Sequence, residues 1–425
     1  MKTVTVVGLG KIGLPLACVF ANSGHFHVIG TDKNEKVIEM VNQGISHIHN
    51  EPGLAELLHQ AWKDKTLTAT TNTTEAVSKS DVVIVIVPVL VKEQDEINYE
   101  YIDSAVEDIG KGIKKGTLVI FETTLPTGDT RNRFGKRIEE LSGMQLGTDF
   151  YLGYSPERVY SNRIIKDLKN YPKIVSGDSE KSLELVVSFY KKALNCEILP
   201  VSNLETAEFT KVAEAVYRDV NIALINELAI FADSLGVNIK EVIHAANSEP
   251  FSHLHFPGVG VGGHCIPVYP YFFINRGLKN GLVKFSREIN DSMAKYAVDL
   301  IEEYFKSLEK KNILILGLSF RENVKETTKS STLLLSEELK NRGANVFVQD
   351  PLYTFEEITS FDVKPITKED HEKIDAIILQ AYHNEFKDFH FEDFPNCQFV
   401  LDGRNVLDKQ RIESLGMTYK GIGIR

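Results

Sequence analysis

Val4-Thr5-Val6-Val7-Gly8-Leu9-Gly10-Lys11-Ile12-Gly13-Leu14-Pro15-Leu16-Ala17 opens the chain with a β-branched run, three glycines and an apolar helical stretch. A G-x-G-x-x-G spacing is weak evidence alone, but here it follows a strand and starts a helix. Gly8 permits the tight turn, Gly10 lets a pyrophosphate approach the backbone, and Gly13 lets helix and strand pack. The helix N-terminus then stabilises phosphate charge. A second strand runs into Asp32, where a carboxylate accepts from both ribose hydroxyls and repels a 2′-phosphate. The pattern predicts an NAD site built from Gly8, Gly10, Lys11, Ile12, Gly13, Asp32 and Lys36.

Outward from this turn, strands are expected at Thr3–Val7, His27–Thr31, Asp81–Val87, Thr117–Glu122, Phe150–Tyr154 and Lys173–Ser176. Helical patterns separate the early ones, as at Lys33–Asn42 and Ile102–Ile113, so a parallel sheet with helices on both faces is predicted. Leu204–Ser234 has helical periodicity without Pro or Gly, and Asn238–Ala246 adds a second helix. The long helix bridges two domains, and its Val212, Val216, Val220, Leu224 and Leu228 form a seam suited to core, bridge or a partner subunit. After a helical stretch at Asp291–Leu308 the alternation resumes, with strands expected at Asn312–Leu316, Asn345–Gln349, Asp375–Leu379 and Gln398–Leu401 and a helix at Ser330–Arg342. The fold class is therefore α/β: two doubly wound Rossmann-like domains joined by a long central helix. The second domain's first turn, Gly317-Leu318-Ser319-Phe320, lacks the full glycine fingerprint, so it holds any nucleotide differently.

Composition narrows the function classes. A net charge of -11 over 425 residues argues against a nucleic-acid partner, which needs a basic footprint. The longest apolar run, Val82–Val91, is too short to span a bilayer and contains Pro88. It reads as a buried parallel strand. Four scattered cysteines, Cys18, Cys196, Cys265 and Cys397, show no zinc spacing, so no metal is expected. Their sparsity fits a reducing cytoplasm.

One cysteine stands apart. Phe256-Pro257-Gly258-Val259-Gly260-Val261-Gly262-Gly263 is a glycine-rich, flexible approach to His264-Cys265-Ile266-Pro267. Exposed backbone amides there suit a phosphate or an oxyanion. A lone cysteine is otherwise read as a small buried hydrophobe. The long helix carries Glu208, Lys211 and Arg218, whose ordinary role is surface ion pairing. Phe121-Glu122-Thr123-Thr124-Leu125-Pro126 and Tyr154-Ser155-Pro156-Glu157-Arg158 each follow a strand's carboxyl end, where open α/β sheets meet ligands.

Taken together, these motifs resemble the nucleotide-sugar 6-dehydrogenase family, across essentially the whole chain. The resemblance rests on the N-terminal fingerprint, Glu122-Thr123-Thr124-Leu125-Pro126, Ser155-Pro156-Glu157-Arg158, the Lys211 helix with Asn226-Glu227-Leu228, Gly262-Gly263-His264-Cys265, and Gly317-Leu318-Ser319-Phe320-Arg321-Glu322-Asn323. It implies an NAD domain over 1–200, a helical dimerisation segment carrying the catalytic loop over 201–308, and a UDP-sugar domain over 309–425. Val268, where the UDP-glucose branch usually has lysine, looks like the N-acetylhexosamine branch, hence UDP-N-acetylglucosamine or UDP-N-acetylmannosamine. The implied activity oxidises the sugar's C6 alcohol twice, through a thiohemiacetal and then a thioester on Cys265, supplying a surface-polysaccharide precursor. Within it, Lys211 stabilises oxyanions, Glu157 serves proton transfer or thioester hydrolysis, and Thr124 positions water and cofactor. Glu157, Arg158, Lys211, Gly262, His264 and Arg321 would hold the UDP-sugar, and the long helix would form a homodimer.

Several family positions are filled differently. The family's asparagine four residues after the lysine is Ala215, and its aspartate four residues after the cysteine is Tyr269. Tyr160-Ser161-Asn162 replaces the usual Pro-Gly after Ser-Pro-Glu-Arg-Val, Thr328 an arginine, and Val89-Leu90 a Thr-Pro. Losing one oxyanion donor typically slows turnover by about a hundred- to a thousand-fold. Two alternatives therefore stay open: a single two-electron oxidation of a UDP-sugar, or a UDP-sugar-binding homologue without turnover.

Overall fold

A computed structural model describes residues 1–92 and 96–424, so Arg425 at the end of the expected third domain lies outside the described residues. The chain forms two compact units, Met1–Glu214 and Ala215–Arg425. The division falls inside the long helix Leu204–Leu235.

In the first unit the strands are β1 (Lys2–Val7), β2 (Phe26–Thr31), β3 (Leu67–Thr70), β4 (Val82–Val85), β5 (Leu90–Val91), β6 (Ile97–Asn98), β7 (Leu118–Phe121), β8 (Tyr151–Tyr154), β9 (Lys173–Gly177) and β10 (Ile198–Pro200). Eight of them form one sheet in the order β10-β9-β8-β7-β4-β1-β2-β3. Strands β1 and β4 are buried along almost their whole length because helices cover both faces. Val4, Val6, Val28 and Ile84 pack with Leu14, Leu16 and Phe20 of the first helix in the unit's core. The helices begin where side chains can cap them: Asn34 accepts from the Lys36 amide, and Ser179 from the Ser182 amide.

Two sequence expectations need correcting here. The sheet is not wholly parallel, since β9 runs antiparallel to β8. Nor is Val82–Val91 one strand: the parallel strand stops at Val85, before Pro88 removes a backbone donor, and Leu90–Val91 pairs antiparallel with β6.

The second unit adds β11 (Asn312–Leu316), β12 (Asn345–Gln349), β13 (Lys364–Pro365), β14 (Ala376–Leu379), β15 (Phe399–Asp402) and β16 (Thr418–Gly421). All pairings in its sheet, ordered β13-β12-β11-β14-β15-β16, are parallel. Alternation along β11 shows how both faces are covered. Ile313 and Ile315 join the core containing Met293 and Ala297, while Leu314 and Leu316 join that of Phe386 and Phe394. The helix expected from Asp291 begins nine residues earlier, at Leu282.

The expected seam on the long helix divides by burial. Val212 is buried, Val216 and Val220 are half-buried, and only Leu224 and Leu228 are exposed. In the part belonging to the second unit, the exposed apolar stripe is Tyr217, Leu224, Leu228, Phe231 and Leu235. Its spacing follows one helical face. Among the described residues, no helix is long and apolar enough to cross a membrane.

Glycine 13 gives the fold's most direct test. A Cβ there would lie 1.9 Å from the Gly8 carbonyl oxygen, a backbone atom with no room to yield. Gly13→Ala is expected to destabilise the first unit by at least about 1–3 kcal/mol, the usual range for overpacking. A denaturant midpoint unchanged from wild type would contradict this close packing.

Candidate functional site

In the first unit, the glycine turn lies where β1 ends, between β2 and β4, so it sits at the sheet's topological switch point. Gly8 adopts φ 95°, and its amide donates to the Thr31 carbonyl at 2.8 Å. The Leu9 amide donates to Asp32 Oδ2 at 2.9 Å, and the Asn34 amide to Asp32 Oδ1 at 2.9 Å. These bonds bring the carboxylate beside the turn. A Cβ on Gly10 would meet nothing within 4 Å, so open space faces the backbone where a pyrophosphate would approach. Gly13 begins the helix Gly13–Ala21 behind Lys11 and Ile12. Lys36 lies in the first turn of the next helix, exposed, with its amide on the Asn34 side chain. The turn's geometry fits a dinucleotide.

At the carboxyl ends of β7 and β8, Glu122 and Glu157 converge. The Glu157 amide donates to the Glu122 carbonyl at 3.2 Å. Lys173, the first residue of β9, sends its Nζ to Glu122 Oε2 and Glu157 Oε2, both at 2.8 Å. Its side chain is only 5% exposed. Glu122 Oε1 accepts from the Tyr190 hydroxyl, and Glu157 Oε1 from the Arg158 amide at 2.8 Å. Lys211 Nζ donates to the Glu157 backbone carbonyl at 2.5 Å. Arg158 pairs with Glu214 at 2.9 Å, and Thr124 is buried two residues beyond Glu122. A recess lined by Pro156, Glu157, Arg158, Tyr171 and Lys173 borders the cluster.

The electrostatics of the two carboxyls diverge. Burial, reinforced by the charge of Glu157, pushes Glu122 up to about 7 despite Lys173. Burial also pushes Glu157 upward, but the Lys173 ammonium, the Arg158 amide and Lys211 outweigh it and leave Glu157 below its ordinary value. Near neutral pH one carboxyl is thus partly protonated while the other is ionised.

In the second unit, the glycine-rich segment is packed, in contrast to the flexible loop with exposed amides read from the sequence. The Gly258 amide donates to Asn226 Oδ1 at 3.0 Å, and the Gly263 amide to the Thr328 carbonyl at 2.8 Å. A Cβ on Gly262 would lie 2.6 Å from Phe320 Cβ, and one on Gly263 2.8 Å from the Phe320 ring. The glycines are therefore demanded by close packing. A buried polar chain supports the segment: Asn226 donates to Asn290 Oδ1 at 2.9 Å, and Asn290 to Asp219 Oδ1 at 2.8 Å. Arg287 closes it on Asp219 at 2.5 Å. Cys265, half-buried, starts a turn in which its carbonyl accepts from the Tyr269 amide at 2.9 Å. His264 Nε2 lies 2.7 Å from Glu326 Oε1, and the Arg321 guanidinium lies 5.7 Å from the centroid of the Phe320 ring. Within its own unit, then, Phe320 packs against Gly262 and Gly263, with the Arg321 guanidinium near its ring and His264 on Glu326.

Sequence reasoning did not single out Lys173, Tyr190, Asn290, Asp219 or Arg287. For Lys173 a signal existed: an ionisable residue opening an apolar strand directly after Pro172 needs buried partners. The Asn226–Asn290–Asp219 chain joins residues more than sixty positions apart and left no local pattern.

Residues 2–194 match the NAD binding domain of the UDP-glucose/GDP-mannose dehydrogenase family, 205–292 its central domain and 314–409 its UDP binding domain. The chain belongs to the UDP-glucose/GDP-mannose dehydrogenase family. It is 34% identical to a UDP-N-acetyl-D-mannosamine dehydrogenase of Pyrococcus horikoshii over 99% of each chain. A UDP-N-acetyl-D-mannosamine dehydrogenase of Campylobacter jejuni is 37% identical over 82% of this chain and 86% of that one. Among solved structures, an NDP-N-acetyl-D-galactosaminuronic acid dehydrogenase from Methanosarcina mazei Go1 aligns with a TM-score of 0.89 at 28% identity, over 100% and 96% of the two chains.

Glu208 is the anchor of the first unit most open to test. Fully buried on the long helix, its carboxylate accepts from the Gly128 amide at 2.5 Å, the Thr130 amide at 2.9 Å and the Thr130 hydroxyl at 2.5 Å. Glu208→Gln places an amide nitrogen against one of these donors. The expected destabilisation is about 1–3 kcal/mol, that of a buried donor left unpaired. Equal unfolding free energies for variant and wild type would contradict it.

Proposed function

We propose that this chain is an NAD-dependent dehydrogenase that oxidises C6 of a UDP-N-acetylhexosamine to the uronic acid, with UDP-N-acetylmannosamine the first substrate to test. What carries the reading is the full-length similarity to UDP-N-acetyl-D-mannosamine dehydrogenases at 34% identity. The packed presentation of Cys265 and the ionised Glu157 support it.

Gly8, Gly10, Lys11, Ile12, Gly13, Asp32, Lys36 and Thr124 would hold NAD, which when bound supplies the hydride acceptor for both oxidations. Cys265 adds as thiolate to the C6 aldehyde, forming a C–S bond and a thiohemiacetal that retains the reactive intermediate. At the thioester level, water adds to the carbonyl carbon, the C–S bond breaks and the thiol is restored. Glu157, ionised near neutral pH, accepts a proton from that water. Lys211 offers a cation to the oxyanion, Thr124 positions the water, and Arg158, Gly262, His264 and Arg321 engage the UDP-sugar. The product is an acidic sugar nucleotide of the kind that supplies surface polysaccharides. The exposed stripe Tyr217, Leu224, Leu228, Phe231 and Leu235 supports a homodimer through the long helix.

Ala215 favours a second reading. It is 1% exposed and has no amide to offer an oxyanion. With that donor missing, the chemistry stops after one two-electron oxidation, or the chain binds UDP-sugars without turnover.

Product stoichiometry decides between them. Incubation with NAD and UDP-N-acetylmannosamine or UDP-N-acetylglucosamine is expected to yield two NADH per sugar and a mass gain of about 14 daltons, alcohol to acid. One NADH with an aldehyde product establishes the second reading, as does sugar binding without NADH. Cys265→Ser is expected to abolish acid formation, and acid formed at the wild-type rate by this variant would overturn the thioester route.

A further inference from the structure

We propose that Lys173 is a positioning residue for Glu157, keeping that carboxylate charged and directing one of its oxygens away from solvent chemistry. The inference rests on the proton-accepting role given above to Glu157.

The geometry is asymmetric in a useful way. Lys173 reaches Glu157 through Oε2, while Oε1 takes the Arg158 amide. Lys211 binds the backbone carbonyl of the same residue. Lys173 is therefore a cation in direct contact with the carboxylate, and it is shared with Glu122. The titratable and charged groups facing Glu157 are Glu122 at the end of β7, Lys173 on β9, Tyr190 behind Glu122, Cys196 ahead of β10, Lys211 on the long helix, and Arg158 with its partner Glu214.

Two carboxylates and one ammonium in a dry site cannot all be charged cheaply, because like charges at this range repel and desolvation opposes both acids. The trio is relieved if a proton rests on one acid. Glu122 is the acid placed to take it: its side chain is the more deeply buried of the two, whereas Glu157 has an amide donor and a second ammonium near its backbone. Lys173 thus favours charge on Glu157 while Glu122 absorbs the trio's excess proton. Simple cross-linking of β7, β8 and β9 would explain the contacts equally well, but it gives no reason for a pH effect. That difference makes the two explanations separable.

The test is the pH profile of kcat for NADH formation from UDP-N-acetylmannosamine, from about pH 5 to about 9, the span in which an acid–base group reports its ionisation. Lys173→Met is expected to move the acid limb upward by about one to three units, the range for losing an adjacent opposite charge. Because the limb starts below the ordinary carboxylate value, the loss is greatest toward pH 5, where each pH unit the limb moves costs up to about tenfold, is at most a few-fold at about pH 7, and is recovered as pH rises. Lys173→Arg keeps the charge and is expected to restore the wild-type limb. Glu122→Gln mimics the protonated neighbour and is expected to leave the limb where wild type has it, because Glu122 already holds its proton in that range. Uniform loss at every pH in Lys173→Met, with its limb in place, would overturn the proposal. Should that variant fail to fold, a raised limb in Glu122→Gln, where Lys173 is still in place, overturns it instead. Wild type forming no NADH from any UDP-sugar defeats the functional reading itself, whereas NADH with the Lys173→Met limb unmoved defeats only the role of Lys173.

Discussion

In both units, the turn after the first strand is held by an aspartate at the end of the second. The Gly8 amide donates to Thr31 and the Leu9 amide to Asp32; the Gly317 amide donates to Gln349 at 2.8 Å, and the Leu318 amide to Asp350 at 2.8 Å. Gly8 and Gly317 both have positive φ, 95° and 103°, so the chain can turn sharply enough to present those amides. Everything downstream depends on this. The turn decides where the first helix starts, the helix covers the sheet, and the sheet's carboxyl edge is then where open α/β sheets meet ligands.

The same interaction also separates the two units. Asp32 is half-exposed, with amides on one side and open space at Gly10. Asp350 is buried and fully engaged by Leu318, Ser319, Leu352 and His383. Burial pushes its pKa up, but His383 and these amides more than compensate, leaving it below the ordinary carboxylate value. A carboxylate so surrounded has little capacity left for ribose hydroxyls. The second unit repeats the architecture of a dinucleotide domain while closing the part of it that reads the ribose, which fits its match to a UDP binding domain.

What the sequence made legible follows from range. Local periodicity, glycine spacing and strand-end carboxylates are written within a few residues, so β1, β2, the long helix, Asp32, Glu122 and Glu157 could all be read. Strand direction is not local: Ile174-Val175-Ser176 is apolar or small in either sense, and only pairing with β8 reveals that β9 is reversed. Ion-pair partners are not local either. Lys173 lies 51 residues from Glu122, and its place at the head of an apolar strand signals burial without naming either partner. The glycine loop failed differently, because glycine permits both an exposed amide cradle and tight packing. The neighbour that decides, Phe320, comes more than fifty residues later in the chain.

The reversal of β9 is what gives Lys173 its meaning. In a parallel strand, the first residue lies at the amino edge of the sheet, away from the ligand-facing ends. Running antiparallel, β9 begins at the carboxyl edge of β7 and β8, so its first side chain arrives beside Glu122 and Glu157. A single strand reversal therefore delivers a cation to an edge otherwise furnished by strand-end acids. Burying that cation is tolerable only because two carboxylates meet it. Burying two carboxylates is tolerable only because one of them can hold a proton. The strand's direction and the ionisation of the site are thus a single constraint, and it ties the charge on Glu157 to sheet topology as well as to local sequence.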